Sequence, residues 1–271
     1  MLLYQHDLSP FAAQENNCFA SVNLNLGPSP VVWWTVPAAH AATLRQLCDK
    51  HKVDFDQDAW WPCHAELQAL DIPVRRFVQS AGDFVWVSPS CVHWVQSLGT
   101  TTAVSYNVGP ATDLQYEHAW RRYDLNLSTR YPSLVPMKRL TMALATEGGR
   151  LLPPKLRVAV AQRLRTVLSR ELQAMQQLAR DNDSLQQPLV LLPHEANEPH
   201  WYCHDCEAEV FNLVYVRPAE GGKHHVVCHS CRGQALKDHV GKRQGVRWWH
   251  RPLYQHSAES LAAALKAATT V

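Results

Sequence analysis

Gly82-Asp83-Phe84-Val85-Trp86-Val87-Ser88-Pro89-Ser90-Cys91-Val92-His93-Trp94-Val95-Gln96 places one imidazole at a fixed point between two short strands. Asp83 to Val87 alternates over β-branched and aromatic positions, Ser88-Pro89-Ser90 breaks the run, and Val92 to Val95 begins another strand. His93 therefore sits just past a turn. An imidazole in that place serves either as a satisfied structural group or as a metal ligand, and its partners elsewhere in the chain decide which.

Upstream, a metal partner requires ligands two residues apart on a strand, because side chains at i and i+2 share a face. The candidate stretch is Ala13-Gln14-Glu15-Asn16-Asn17-Cys18-Phe19-Ala20-Ser21-Val22-Asn23-Leu24-Asn25-Leu26-Gly27-Pro28. Glu15 and His93, with a histidine at position 13, would form the two-His, one-carboxylate face of non-haem Fe(II) oxygenases, which leaves three positions for co-substrate and oxygen. Position 13 is alanine.

Working outward, strand patterns cover Cys18–Leu26, 31–36, 74–79, 84–87, 92–97 and 102–108, with turns at Gly27-Pro28, Ser80-Ala81-Gly82 and Leu98-Gly99. Helical patterns cover 38–50 and 65–70, and many short strands with turns indicate a barrel or sandwich. A double-stranded β-helix has about eight core strands. Six legible strands leave this one short on its N-terminal side, where Met1 to Ala12 shows no periodicity.

The totals agree with a folded protein. At 271 residues, 46% apolar with 10 tryptophans and only 18% charged, the chain holds one large domain and one small one. A formal net charge of +2 predicts no bulk attraction to nucleic acid, so direct DNA contact is weak or absent. There is no apolar run long enough for a membrane span and Met1-Leu2-Leu3-Tyr4 is too short for a signal peptide, so cytosol or nucleus is expected.

Cys203-His204-Asp205-Cys206 and Cys228-His229-Ser230-Cys231 form two Cys-x-x-Cys knuckles separated by 21 residues, with strand patterns at 211–216 and 226–227 between them. Paired knuckles in a reducing compartment suit one tetrahedral zinc on four thiolates, a structural site with no open position. His204, His224, His225 and His229 read as surface residues. Cys18, Cys48, Cys63 and Cys91 read as buried small hydrophobes.

Between the two ends, 111–126 and 137–145 read as helices, and Pro154 opens a longer one to about Arg180 with Leu156, Val160, Leu164, Val167, Leu168, Leu172, Met175 and Leu178 in one apolar stripe. Its Arg157, Arg163, Arg165 and Arg170 read as a solvated face. The segment Arg232–Arg251 is basic through Lys237, Lys242, Arg243, Arg247 and Arg251, and Ser257–Ala268 closes the chain as an Ala- and Leu-rich helix.

Gln14-Glu15-Asn16-Asn17, Asn23-Leu24-Asn25-Leu26-Gly27-Pro28, Trp60-Trp61-Pro62, Val92-His93-Trp94-Val95-Gln96 and Asn107-Val108-Gly109-Pro110 together resemble the JmjC histone H3 lysine-27 demethylases of the UTX type. The likeness runs in order from Gln14 to Cys231, and the four-cysteine module resembles the GATA-like domain that follows the JmjC domain there and helps recognise the histone tail. The resemblance implies a mainly β fold with helices. It comprises a partial double-stranded β-helix of the cupin and JmjC kind over 1–110, lacking N-terminal strands, a helical linker over 111–195, a four-Cys zinc domain over 196–256 and a C-terminal helix over 257–271.

It further implies a nuclear protein acting on the histone H3 tail, with chromatin-complex subunits as partners, by oxidative N-demethylation with Fe(II) and 2-oxoglutarate. Glu15 and His93 would hold iron, Ser21 and Asn23 would contact 2-oxoglutarate, and Cys203, Cys206, Cys228 and Cys231 would hold zinc. The family's first ligand is a histidine where this chain has Ala13, and its co-substrate lysine has no counterpart, the first lysine being Lys50. Tyr4, His6 and Ser9 are the nearest stand-ins. Impaired catalysis follows, with a histone-tail-binding or scaffolding pseudoenzyme, or an inactive partial gene product, as the alternatives.

Overall fold

The computed structural model describes residues 2–4, 8–56, 60–146, 151–185, 190–191, 200–239, 253–254 and 257–269. They fall into two compact units, Met1–Arg122 and Tyr123–Val271. His6 and the basic positions Lys242, Arg243, Arg247 and Arg251 lie outside the described residues.

Among the described residues the first unit has eight strands: β1 (Leu2–Tyr4), β2 (Leu8–Ala13), β3 (Ala20–Pro28), β4 (Val31–Val36), β5 (Arg75–Gln79), β6 (Phe84–Val87), β7 (Val92–Ser97) and β8 (Thr101–Val108). They form two four-stranded sheets, in the orders β1-β8-β3-β6 and β2-β7-β4-β5. Every pairing within them is antiparallel, as in a jelly-roll or cupin fold. The expected six strands become eight because β1 and β2 occupy sheet edges. β2 contains Pro10 and pairs with β7 through a register break between Ser9 and Ala13, which erases the alternation that sequence reading depends on.

On β3 the usual alternation is inverted: Ser21, Asn23 and Asn25 are buried while Val22 and Leu24 are half-buried. The outer side of that sheet carries Phe84, Trp86 and Tyr106 in adjacent register positions, all exposed. Polar groups buried on a sheet need partners, and these have them. Gln79 of the second sheet donates its Nε2 to Asn23 Oδ1 and to Asn23 O at 3.1 Å each, and accepts from Trp33 Nε1 at 2.8 Å. Asn25 Oδ1 accepts from Thr101 Oγ1 and from Gly27 N at 2.7 Å each. Gly27 itself sits at φ +80° with a virtual Cβ only 2.9 Å from Ala81 Cβ, so both the bend and the close approach require glycine.

The second sheet buries its other face under α1 (Ala41–Lys50) and α2 (His64–Ala69). Leu44, Leu47, Cys48 and Leu67 from the helices pack with Phe55, Ile72, Val36, Val92 and Trp94. Each large side chain removed from water in this way contributes about 1.5–3 kcal/mol. Trp94, beside His93 on β7, is 2% exposed and donates Nε1 to Trp60 O at 3.1 Å, so the strand bearing the imidazole is anchored on its helix side.

Asp56 closes the loop after α1. Its carboxylate takes a bidentate pair from Arg45 at 2.8 and 3.0 Å, and Arg122 at 2.7 Å from α3 (Asp113–Thr129). Burial pushes the Asp56 carboxyl up, but the Arg45 hydrogen bonds and the Arg122 charge outweigh it and hold it below the ordinary range. For an acid with a depressed folded value, the stabilisation is complete above the unfolded pKa of about 3.9 and is lost as pH falls through the folded value. Asp56→Ala, which strands two partly buried guanidinium groups, is expected to cost about 1–3 kcal/mol in urea denaturation at pH 7. The difference from the parent should shrink below about pH 4, and an unchanged denaturation midpoint at pH 7 would refute the ion triad.

The second unit is built on α5 (Pro154–Leu185), which packs against α4 (Met137–Thr146) and α7 (Ala258–Thr269). The expected stripe is its core: Leu156, Val160, Leu164, Val167, Leu168, Met175 and Leu178 are buried, as is Leu261 of α7. Around it lie β9 (Val190–Leu191), β10 (Trp201–Tyr202), β11 (Glu209–Val210), β12 (Leu213–Pro218), β13 (His224–Val227), α6 (His229–His239) and β14 (Leu253–Tyr254). Glu209 caps α4, its two carboxylate oxygens accepting from Lys138 N and Arg139 N at 2.9 Å each. Those are two of the amides that a helix start leaves without partners.

Candidate functional site

Glu15 and His93 come together inside the first unit, with Glu15 Oε1 3.7 Å from His93 Nε2. Two ligands about 2.1 Å from one ion and at right angles lie about 3 Å apart, so a small closure would let both bind. Glu15 lies on neither β2 nor β3, whereas the two-residue spacing from position 13 put it on a strand. It precedes a 3-10 turn at Asn16–Cys18, in which Asn17 has φ +50°. The turn folds Glu15 back so that Ser21 Oγ donates to its Oε1 at 2.7 Å.

His93 is 6% exposed, its ring 5.5 Å from that of Trp33. Burial lowers its pKa, against the opposing pull of Glu15, which favours the neutral imidazole that ligates metals. Its Nδ1 faces Cys91 O at 3.4 Å, an orientation that leaves Nε2 toward Glu15.

Ala13 ends β2 directly opposite His93 in the β2–β7 ladder. The backbone for a third ligand is thus present at the residue where the donor is missing. Among the described residues, the sole cluster of three or more His, Cys, Asp or Glu side chains able to share an ion is the cysteine set in the second unit. The iron face therefore does not fit its metal fully. The co-substrate positions are also engaged internally, Ser21 with Glu15 and Asn23 Oδ1 with Gln79.

Sequence reading missed the residues that hold the two ligand segments together. Gln14 Nε2 donates to Ser90 O at 2.9 Å, tying the residue before Glu15 to the turn before His93. Ser90, at φ +59°, also bonds His118 Nδ1 through Oγ at 2.7 Å. Gln115 Nε2 donates to Cys18 O and its Oε1 accepts from Ala20 N. The signal was slight: polar residues at helical spacing on α3, indistinguishable from a solvated face.

Cys203, Cys206, Cys228 and Cys231 place their sulfurs within 4.8 Å of one another. Sulfurs held tetrahedrally at 2.3 Å from zinc are about 3.8 Å apart, and Cys206 Sγ lies 3.7 Å from Cys228 Sγ. Cys228 N points at Cys203 Sγ at 3.3 Å and Cys231 N at Cys228 Sγ at 3.4 Å, amide bonds that stabilise thiolates. The Cys203 thiol is lowered to about 4, chiefly by its hydrogen bond with Cys228, and Cys228 is raised by the same bond. Four thiols with no intervening group fit a closed zinc site.

The neighbouring imidazoles are occupied otherwise. His229 Nδ1 bonds Tyr215 OH at 2.8 Å, and His204 lies against the His225 ring at 3.6 Å between centroids. His204, His224 and His229 are exposed, as read from the sequence, and His225 is half-buried; His229 also starts α6.

Comparison with known proteins finds a domain match in each part of the chain. Residues 8–108 match the JmjC domain, hydroxylase, which defines the class as a JmjC-domain protein. Residues 193–240 match the KDM6, GATA-like domain. The chain is 34% identical over 259 residues, 94% of its length, to human lysine-specific demethylase 6B. It is 33% identical over 136 residues, 50% of its length, to lysine-specific demethylase jmjd-3.1 of Caenorhabditis elegans. With the two domains in this order, the chain belongs to the KDM6 family of JmjC proteins. It spans only 15% and 13% of the lengths of those two relatives.

Proposed function

We propose that this chain is a nuclear, chromatin-directed KDM6-type protein that engages the histone H3 tail, with its own demethylation impaired at the iron site. The observation that carries the reading is Ala13 opposite His93. When bound, Fe(II) with 2-oxoglutarate supplies oxidation of an N-methyl group, the chemistry of the family. Here Glu15 and His93 alone would hold the metal, and Ser21 and Asn23 would have to exchange their internal hydrogen bonds to meet the co-substrate. The family's co-substrate lysine, expected before the first ligand, has no counterpart among the residues that precede Glu15.

The zinc held by the four cysteines is structural in this reading, and keeps the second unit competent to recognise a peptide. The tail-binding pseudoenzyme is its limiting case, favoured by the internal hydrogen bonds that Ser21 and Asn23 already make. The test is a pair of measurements on the zinc-loaded chain with a histone H3 peptide trimethylated at lysine-27. Fluorescence anisotropy should report binding, while formaldehyde release with added Fe(II) and 2-oxoglutarate stays at the enzyme-free background. Sustained release by the unaltered chain would overturn the impairment, and absence of any peptide binding would overturn the tail-directed role.

A further inference from the structure

We propose that the four-cysteine site is a thiol switch, opened by small peroxides that reach three of its sulfurs through an adjoining cavity. The cavity, about 590 Å³, is walled by the end of α3 and the residues after it, among them Asn126, Arg130 and Tyr131, and by the knuckles themselves. Cys206, Cys228 and Cys231 line it. Cys203 does not, and is 1% exposed. One ligand is therefore sealed while three face a space many times the roughly 30 Å³ share of a water molecule.

A structural zinc needs no such space, since all its positions are filled by protein. The cavity admits a molecule the size of hydrogen peroxide to sulfurs whose nucleophilicity the metal moderates but does not abolish. One pair of wall sulfurs is taken as the site of oxidation. Cys206 Sγ and Cys228 Sγ are already 3.7 Å apart and both lie on the wall, and a bond of about 2.05 Å requires only a local movement of the two loops.

The chemistry balances with hydrogen peroxide as oxidant. The Cys206 thiolate attacks one peroxide oxygen; an S–O bond forms, the O–O bond breaks, and the departing hydroxide takes a proton to become water. The Cys228 thiolate then attacks the sulfenic sulfur; the S–S bond forms, the S–O bond breaks, and a second water leaves after protonation. Two thiolates lose two electrons in total and the peroxide gains them. The two thiolates that remain would hold zinc too weakly, and the knuckle would lose the ion that organises it. The inference rests on the zinc reading of the four cysteines, which metal content of the untreated protein tests by itself.

The experiment uses the full chain, zinc-loaded and carrying Cys63→Ser to remove the exposed thiol outside the site. Hydrogen peroxide is added while a chromophoric indicator follows free zinc and peptide mass mapping follows the cysteines. Zinc release in step with a Cys206–Cys228 disulfide, reversed by a thiol reductant plus zinc, is the expected result. Gln234 is exposed on the cavity wall, and Gln234→Trp, if it retains zinc, should slow release by about threefold or more by narrowing the approach to the thiolates.

Zinc retained while other cysteines oxidise, a disulfide that includes Cys203, or equal release from a zinc-loaded Gln234→Trp protein overturns the proposal. Should that variant purify without zinc, the disulfide map of the Cys63→Ser chain decides alone.

Discussion

Ala13→His is expected to raise the barrel's affinity for a divalent transition metal by at least about 100-fold, since even outer partners of metal ligands are worth 10- to 100-fold and this restores a ligand itself. The reasoning is geometric. Position 13 is in register with His93 across the β2–β7 ladder, and Glu15, two residues on, already approaches His93 Nε2 to 3.7 Å. The register break between Ser9 and Ala13 is the kind of irregularity that re-aims a side chain at the end of a strand.

Cobalt(II) reports the outcome directly. With the cysteine site preloaded with zinc, the visible absorption of a nitrogen- and oxygen-ligated ion should saturate at far lower cobalt in the variant than in the parent. Equal titrations would mean that the backbone at position 13 does not present a side chain to the site. Formaldehyde release from the trimethylated peptide by the variant would show in addition that Ser21 and Asn23 yield their internal partners to the co-substrate. A metal-tight but silent variant would place the remaining defect at the missing lysine.

Removal of the zinc is expected to have the largest effect on structure. Binding free energies of about 10–16 kcal/mol are typical of four-ligand structural zinc at neutral pH, comparable to the whole stability of a domain. The strands around the knuckles are two to six residues long, too short to persist on pairing alone. A strong chelator, or Cys228→Ala, should therefore abolish amide protection in β10 to β13 in hydrogen exchange. The eight-stranded unit should keep its own protection, because its core contains none of the cysteine ligands. Protection of β12 and β13 that survives chelation would sink the structural assignment of the zinc.

The contrast between the two centres explains what could be read from sequence. The zinc knuckles were legible because Cys-x-x-Cys is a local constraint: four identical ligands at short spacing leave few other readings. Strands 31–36, 84–87 and 92–97 were legible because they are buried on two faces or alternate cleanly. β1 and β2 were not, since an edge strand with a proline and a register break obeys neither pattern.

Glu15 was found by spacing but placed on the wrong kind of element. Asn17 at positive φ turns the chain in a way that residue type alone does not announce. Gln79 and Gln115 were invisible for a different reason. An amide reaching across 56 or 97 residues to its partner leaves no periodic trace near itself, so long-range polar ties become readable only when the sheets are assembled.

The barrel interior has a consequence for how such a chain can persist through descent. Ser21 bonds Glu15, Gln79 bonds Asn23 and Thr101 bonds Asn25, all without iron or co-substrate. The fold's polar interior therefore does not depend on a donor at position 13. A lineage can lose the donor at position 13 and still inherit an intact barrel, free to be kept for what it holds rather than for what it converts.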